Sequence, residues 1–195
     1  MKITKSDRNL LIAIAIGDGH ITPSGNIRVF HSEKQIEYVK HKFNLVKHMC
    51  TTPDIQYQKS NDTNQYGFTI KVTKFTKLLR RVLYPCGKKV ITRKLLNRLS
   101  PRELAIWWMD DGSCSNIKSE VSDNPRTSIS TLSTCISREE NQIIIDWFLD
   151  VYGVKFGQRK MKNHFALVCR MTEGRKLKAV IEDHVIESMK YKLSH

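Results

Sequence analysis

The run Leu10-Leu11-Ile12-Ala13-Ile14-Ala15-Ile16 is apolar on every helical face, which predicts a helix buried all round rather than an amphipathic one. Ser6 or Asp7 stands where it would cap that helix, and Gly17-Asp18-Gly19 is a stop. A strand-like run follows, Asn26-Ile27-Arg28-Val29-Phe30-His31. Ile36, Val39, Phe43 and Val46 then recur at spacings of three and four and predict a helix over about 32–49. Residues 54–59 and 65–73 read as a hairpin turning at Asn61-Asp62-Thr63-Asn64. In its second strand Tyr66, Phe68, Ile70 and Val72 alternate with Gly67, Thr69, Lys71 and Thr73. A short helix over 75–83 stops at Tyr84-Pro85-Cys86-Gly87.

The second half runs through the same order. Ser100-Pro101-Arg102-Glu103 is a capping box with proline at the first helical position, and its helix, Leu104-Ala105-Ile106-Trp107-Trp108-Met109, ends at Asp110-Asp111-Gly112. After a polar stretch over 113–126, read as a loop, come a strand at 127–133 and a helix capped by Ser137. That helix carries Ile144, Trp147, Phe148 and Val151 to a stop at Gly153. Strands at 154–160 and 164–171 form a hairpin around Lys162-Asn163, and a last helix over 173–184 leads to Met189-Lys190-Tyr191-Lys192. Both halves thus read helix, Asp-Gly, strand, helix, hairpin, helix, lysine, and the expected division is 1–97 and 98–195. Trp107, Trp108 and Trp147 fall on core helices and read as packing, not as base-stacking platforms.

Composition adds a partner. The 195 residues carry 33 lysines and arginines against 19 acids, a net charge of +14. That excess calls for a polyanion, and nucleic acid fits because each phosphate neutralised releases condensed counterions. A membrane surface is the competing polyanion. Against it, the longest apolar run, 10–17, is far short of a bilayer span, and no basic amphipathic helix stands at either end. Cys50, Cys86, Cys114, Cys135 and Cys169 contain no C-x-x-C pair and are odd in number, so neither a disulfide framework nor a structural zinc is expected. With no secretory or transit signature at Met1 to Asp7, the expected setting is intracellular and reducing: bacterial or phage cytoplasm, or an organelle matrix.

Each buried helix ends on a carboxylate followed by glycine, where the helix dipole is already negative. A single Asp-Gly is ordinarily just a turn after a helix. Two, at matching places in a repeat, point instead to a compensating cation, and convergence of Asp18 and Asp111 would strengthen that need. Hard oxygen donors with no histidine or cysteine cluster nearby favour magnesium, with manganese as a substitute, over zinc.

Leu11 to Gly19 (LIAIAIGDG) and Leu104 to Gly112 (LAIWWMDDG) resemble the two copies of the motif that names the LAGLIDADG homing endonucleases. The order of elements is similar to the single-chain branch of that family along nearly the whole chain. Lys88-Lys89 and the terminal Met189-Lys190-Tyr191-Lys192-Leu193 resemble a yeast mitochondrial intron-encoded member. The resemblance implies an α+β fold of two pseudo-symmetric αββαββα units, each a saddle-shaped four-stranded antiparallel sheet backed by helices. It implies a site-specific double-strand DNA endonuclease using magnesium. Asp18 and Asp111 match the motif aspartates that hold metal, and Gly17 and Asp110 match positions whose backbone carbonyls approach it. The Asp110 side chain itself is expected to point to solvent. Lys89 and Lys192 match the basic residue beside each metal site, with Lys88 and Lys190 as close competitors.

A two-stranded ribbon fits the major groove, so outward strand residues become candidate DNA contacts. Alternation nominates Arg28, Gln56, Gln58, Thr69, Lys71 and Thr73 in the first half, and Ser128, Ser130, Arg159, Lys160, His164 and Arg170 in the second. His20 and Ser113, just after the two turns, are placed to order water or simply to end a helix. Two unlike halves imply a monomer with a long asymmetric double-stranded target. An intron RNA maturase on the same fold, with intron RNA as partner, and a catalytically inactive DNA-binding regulator remain the alternatives.

Overall fold

The computed structural model describes residues 3–60, 63–119, 122–162 and 164–193; for 116–119 and 122–127 the description is confined to the backbone. The chain divides into two compact units, Met1–Lys89 and Val90–His195.

In the first unit α1 (Lys5–Ile16) is followed by β1 (His20–Ile21), β2 (Ile27–Ser32), α2 (Ile36–Val46), β3 (Gln56–Ser60), β4 (Thr63–Ile70) and α3 (Lys74–Leu83). The four strands form an antiparallel sheet in the order β1-β2-β4-β3. Thr4, not Ser6 or Asp7, caps α1: its hydroxyl accepts from the Asp7 N–H at 3.1 Å, and the Asp7 carboxylate accepts from the Thr4 N–H at 2.9 Å. Asp7 is the reciprocal half of a capping box, a role that spacing alone does not distinguish from the cap itself. Leu10 to Ile16 are all buried, as the unbroken apolar run requires. Ile27, Val29, Phe68 and Ile70 cover the core side of the sheet, where α2 packs with Phe43 5.7 Å from Phe68 between ring centroids. β4 ends at Ile70, earlier than the alternation suggested, because Thr73 leaves the ladder to cap α3 through the Thr76 N–H. Of the expected turn, Thr63 and Asn64 already belong to β4, and Asn61 and Asp62 lie outside the described residues.

The second unit opens with a short α4 (Arg93–Leu96), then α5 (Pro101–Asp111), β5 (Gly112–Ser119), β6 (Ser122–Leu132), α6 (Arg138–Tyr152), β7 (Gly157–Lys160), β8 (Phe165–Arg170) and α7 (Met171–Ile181). Its sheet order, β5-β6-β8-β7, repeats that of the first unit. The fold is therefore α+β, two four-stranded antiparallel sheets backed by helices. Glu103 reaches back to the Ser100 N–H at 3.2 Å and to the Ser100 hydroxyl, closing the expected capping box. Gly153 ends α6 in the left-handed conformation, φ 64°, that favours glycine. Trp107, Trp108 and Trp147 are buried, and Trp147, Phe148 and Phe156 form a ring cluster with centroids 4.9 and 4.6 Å apart. Their packing role holds.

One correction is substantial. The polar segment 113–126 is not a loop: most of it forms the β5–β6 hairpin, paired from Gly112↔Leu132 to Ser119↔Ser122. The paired layer Cys114, Ser130 and Cys169 carries small side chains, so the strand shows no hydrophobic alternation to read.

The described cysteines are all free. Burial pushes the Cys50 thiol up to about 11 and the Cys169 thiol to about 12. The thiolate is the reactive form. Native protein at pH 8 should therefore label rapidly with a maleimide at exposed Cys86 and Cys135, with Cys50 and Cys169 following only on denaturation. Rapid modification of Cys169 under native conditions, read by peptide mass spectrometry, would contradict its place in the core.

Candidate active site and nucleic-acid face

The terminal carbonyls of α1 form the negative end of a buried helix dipole, yet its last turn contains no basic residue. Lys89, the last residue of the first unit, supplies the missing donor. Its Nζ donates to the Ile16 carbonyl at 2.9 Å and to the Gly17 carbonyl at 2.8 Å. The Gly17 N–H bonds to the Ala13 carbonyl and the Gly19 N–H turns back to the Ile14 carbonyl at 2.8 Å. A Cβ on Gly19 would sit 2.5 Å from that same oxygen, so the close reversal needs glycine for space. Asp18 is thus held by backbone bonds on both sides while its side chain stays 42% exposed. From the core side of β2, His31 brings Nδ1 to 3.5 Å from Asp18 Oδ2 and 3.0 Å from Gln35 Oε1.

The second unit reproduces this end with different chemistry. Lys192 Nζ donates to the Met109 carbonyl at 2.6 Å and the Asp110 carbonyl at 2.8 Å, the positions equivalent to Ile16 and Gly17. The Lys192 carbonyl in turn accepts from Trp108 Nε1 at 3.0 Å. A Cβ on Gly112 would meet the Trp108 ring at 2.4 Å, so this glycine too is set by close approach. Asp111 Oδ2 accepts from Trp107 Nε1 at 3.0 Å, and its carbonyl accepts from the Ser133 N–H. Asp110 does not point to solvent as expected. It is only 9% exposed, since it lies one residue inside α5 on a helix buried on all sides. The competitors Lys88 and Lys190 are exposed, and Lys190 pairs with Glu187 at 2.6 Å.

Strand pairing decides which residues face away from the helices. In the first unit Arg28 pairs with Thr69, Gln56 with Gly67 and Gln58 with Gln65, which puts these side chains on the open face. They are joined there: Arg28 donates to Gln58 Oε1 at 3.2 Å, Gln58 Nε2 to Gln65 Oε1 at 2.8 Å, and Thr69 Oγ1 to Gln56 Oε1 at 3.3 Å. His20, opposite Arg28, shares the face. Lys71 is exposed just beyond the strand, whereas Thr73 is committed to the cap of α3.

In the second unit β6 and Lys160 run one residue out of step with the expected alternation, while Arg159 and Arg170 follow it. Ser128 and Ser130, 2% and 1% exposed, lie on the core side, together with Leu132 and Leu167. The open face carries Ser113 and Thr131, Ser115 and Ile129, with Arg170 opposite Ile129 and Arg159 opposite Ala166. Lys160 pairs with Phe165 on the other parity, and half-buried His164 sits in the hairpin beyond the β7–β8 ladder.

Residues 8–177 match the model of the LAGLIDADG DNA endonuclease family. The chain belongs to that family. It is similar to the homing endonuclease I-WcaI bound to its DNA recognition sequence, with a TM-score of 0.82 at 20% identity over 99% of this chain and 88% of that one. I-GzeII in complex with its DNA target aligns with a TM-score of 0.58 at 12% identity, covering 95% of this chain and 86% of that one. The N-terminal LAGLIDADG domain of DUF199/WhiA gives 0.51 at 12%, covering 96% and 87%. These likenesses show a shared fold. Among curated proteins, RecA of Mycolicibacterium flavescens is 23% identical over 98% of this chain and 47% of its own length. RecA of Mycobacterium leprae is 26% identical over 96% and 28%. The chain thus spans about half or less of the curated relatives it matches.

In this LAGLIDADG chain the motif ends contain residues that sequence reasoning passed over. His31 is signalled by Ile27, Val29 and His31 sharing one strand face, and Trp107 by its place one helical turn before Asp111. The lysine caps carry an expected energetic signature. Replacing buried Lys192 by Met removes two charge-assisted bonds and should lower stability by about 2 kcal/mol or more. Lys190→Met, which removes one exposed and solvent-screened pair, should leave the unfolding midpoint close to that of the wild type. Urea unfolding of both variants checks this, and equal midpoints would show that the cap carries no weight.

Proposed function

We propose that the chain is a divalent-metal-dependent, site-specific double-strand DNA endonuclease in which each unit serves one strand. The carrying observation is the duplicated helix end, where Asp18 follows α1 and Asp111 closes α5, and a lysine holds the carbonyls at the end of each buried helix. Asp18 and Asp111, with the carbonyls of Gly17 and Asp110, would hold magnesium or manganese. The carboxylates and carbonyls are hard oxygen donors, and a carbonyl that accepts one lysine bond retains a second lone pair. Contrary to the expectation of no histidine nearby, His31 Nδ1 stands 3.5 Å from Asp18 Oδ2 and adds a nitrogen beside them, which manganese accepts more readily than magnesium. When bound, such an ion supplies Lewis-acid stabilisation of phosphoryl charge and renders water nucleophilic near neutral pH. Lys89 and Lys192 hold the helix ends in place and put positive charge beside the reacting phosphate.

The open strand faces supply recognition. Arg28, Gln56, Gln58 and Thr69 are joined by hydrogen bonds on one face, and their donors and acceptors suit base edges; Arg159 and Arg170 serve the other. Lys71, Lys160 and His164 are assigned to backbone contact. Because the two faces differ, the target is asymmetric, and one chain suffices to bind it. I-WcaI and I-GzeII are described with their DNA, which supports the same partner here. The partial coverage of the RecA proteins fits a nuclease module carried within longer polypeptides. Retention of both aspartates disfavours an inactive DNA-binding regulator.

Asp18→Asn and Asp111→Asn should each abolish double-strand cutting while leaving duplex affinity in calcium largely unchanged. Linearisation of a target plasmid by either variant at the wild-type rate would remove the assignment. With a net charge of +14, affinity should fall steeply with salt, by about 0.9 in log K per tenfold salt for each phosphate contact. A flat salt response would point to a partner that is not nucleic acid.

A further inference from the structure

The two motif aspartates are held by different side chains. Asp18 Oδ2 faces His31 Nδ1 at 3.5 Å, and that ring is oriented by Gln35 Oε1 at 3.0 Å. His31 is 4% exposed at its side chain and rests against Tyr38, ring centroids 5.4 Å apart, so it cannot swing away freely. Asp111 Oδ2 instead accepts from Trp107 Nε1 at 3.0 Å, on an indole that is fully buried and stacked 6.4 Å from Phe148. The first aspartate is steered from a strand by an imidazole, the second from its own helix by an indole one turn away. An N–H donor that fixes a ligating carboxylate controls which oxygen remains available and how it points.

We propose that His31 and Trp107 are positioning residues, one for each motif aspartate, and that each governs cleavage of a different DNA strand. The inference rests on the nuclease reading above. It goes further by assigning strand-specific control to two buried residues, neither of them a motif aspartate or a lysine cap. Burial fixes both contacts: the Trp107 indole N–H donates to Asp111, and the His31 ring is held with Nδ1 facing both Asp18 Oδ2 and Gln35 Oε1.

The test is matched. His31→Phe and Trp107→Phe each keep an aromatic ring in the core and lose the N–H donor. His31→Asn restores a donor near the Nδ1 position. The probe is a duplex recovered as cleavable from a randomised library in magnesium, with a different dye on each strand. Single-turnover nicking of both strands is read in one tube, so an unfolded fraction of any variant cancels from the ratio of the two rates. His31→Phe should shift that ratio by about tenfold in one direction and Trp107→Phe by about tenfold in the other, with His31→Asn returning it toward wild type. Loss of general stability would slow both strands equally. Unchanged ratios, or shifts in the same direction, would overturn the proposal while leaving the nuclease intact. Wild-type protein that nicks neither strand in any recovered duplex would overturn the nuclease reading, and this inference with it.

Discussion

The acidic end of each unit depends on how a buried helix disposes of its last carbonyl groups. A helix apolar on all sides can be buried whole, but its C-terminal carbonyls lack intrahelical partners and carry partial negative charge. Placing an aspartate directly after them adds to that charge. Both units meet the problem with a lysine from the far end of the unit, on Ile16 and Gly17 in one case and Met109 and Asp110 in the other. The ammonium satisfies the helix end, while the aspartates themselves are met by His31 in one unit and Trp107 in the other.

The sheets are constrained from the opposite direction. One face must be apolar to cover the helices, and the pleat then leaves every second residue free to be polar. In the first unit this produces a hydrogen-bonded row of Arg28, Gln58 and Gln65, beside the Thr69–Gln56 pair. Such pairing fixes side-chain direction before any ligand arrives, which lowers the ordering cost of recognition. The second unit reaches the same topology with a sparser polar row, Ser113, Ser115 and Thr131, flanked by Arg159 and Arg170. Equivalent backbones thus present unlike surfaces.

The duplicated motif has diverged most at the side chains around its aspartates. Gly19 and Gly112 are both demanded by close approach, but one approaches the Ile14 carbonyl and side chain and the other the Trp108 indole. His31 stands by Asp18, whereas Trp107 stands by Asp111. Backbone geometry has been conserved between the halves while the chemistry next to it has not.

The long helices, the repeat and the two acidic ends were legible in the sequence, whereas the short α4 was not. Those signals are local: an unbroken apolar run, a capping box at Ser100, a glycine stop, a lysine after the last helix. It also placed Arg28, Gln56, Gln58 and Thr69 on the correct face, because Phe68 and Ile70 mark the alternation unambiguously. The β5–β6 hairpin and the burial of Ser128 and Ser130 came instead from long-range pairing. There the core face is built in part from small side chains, so hydrophobicity carried no period and a one-residue slip inverted the reading. Tertiary structure also decided that Thr4 caps α1, that Asp110 is buried, and that His31 meets Asp18. Each of these depends on which group arrives from elsewhere in the chain, and neither propensity nor spacing encodes that arrival.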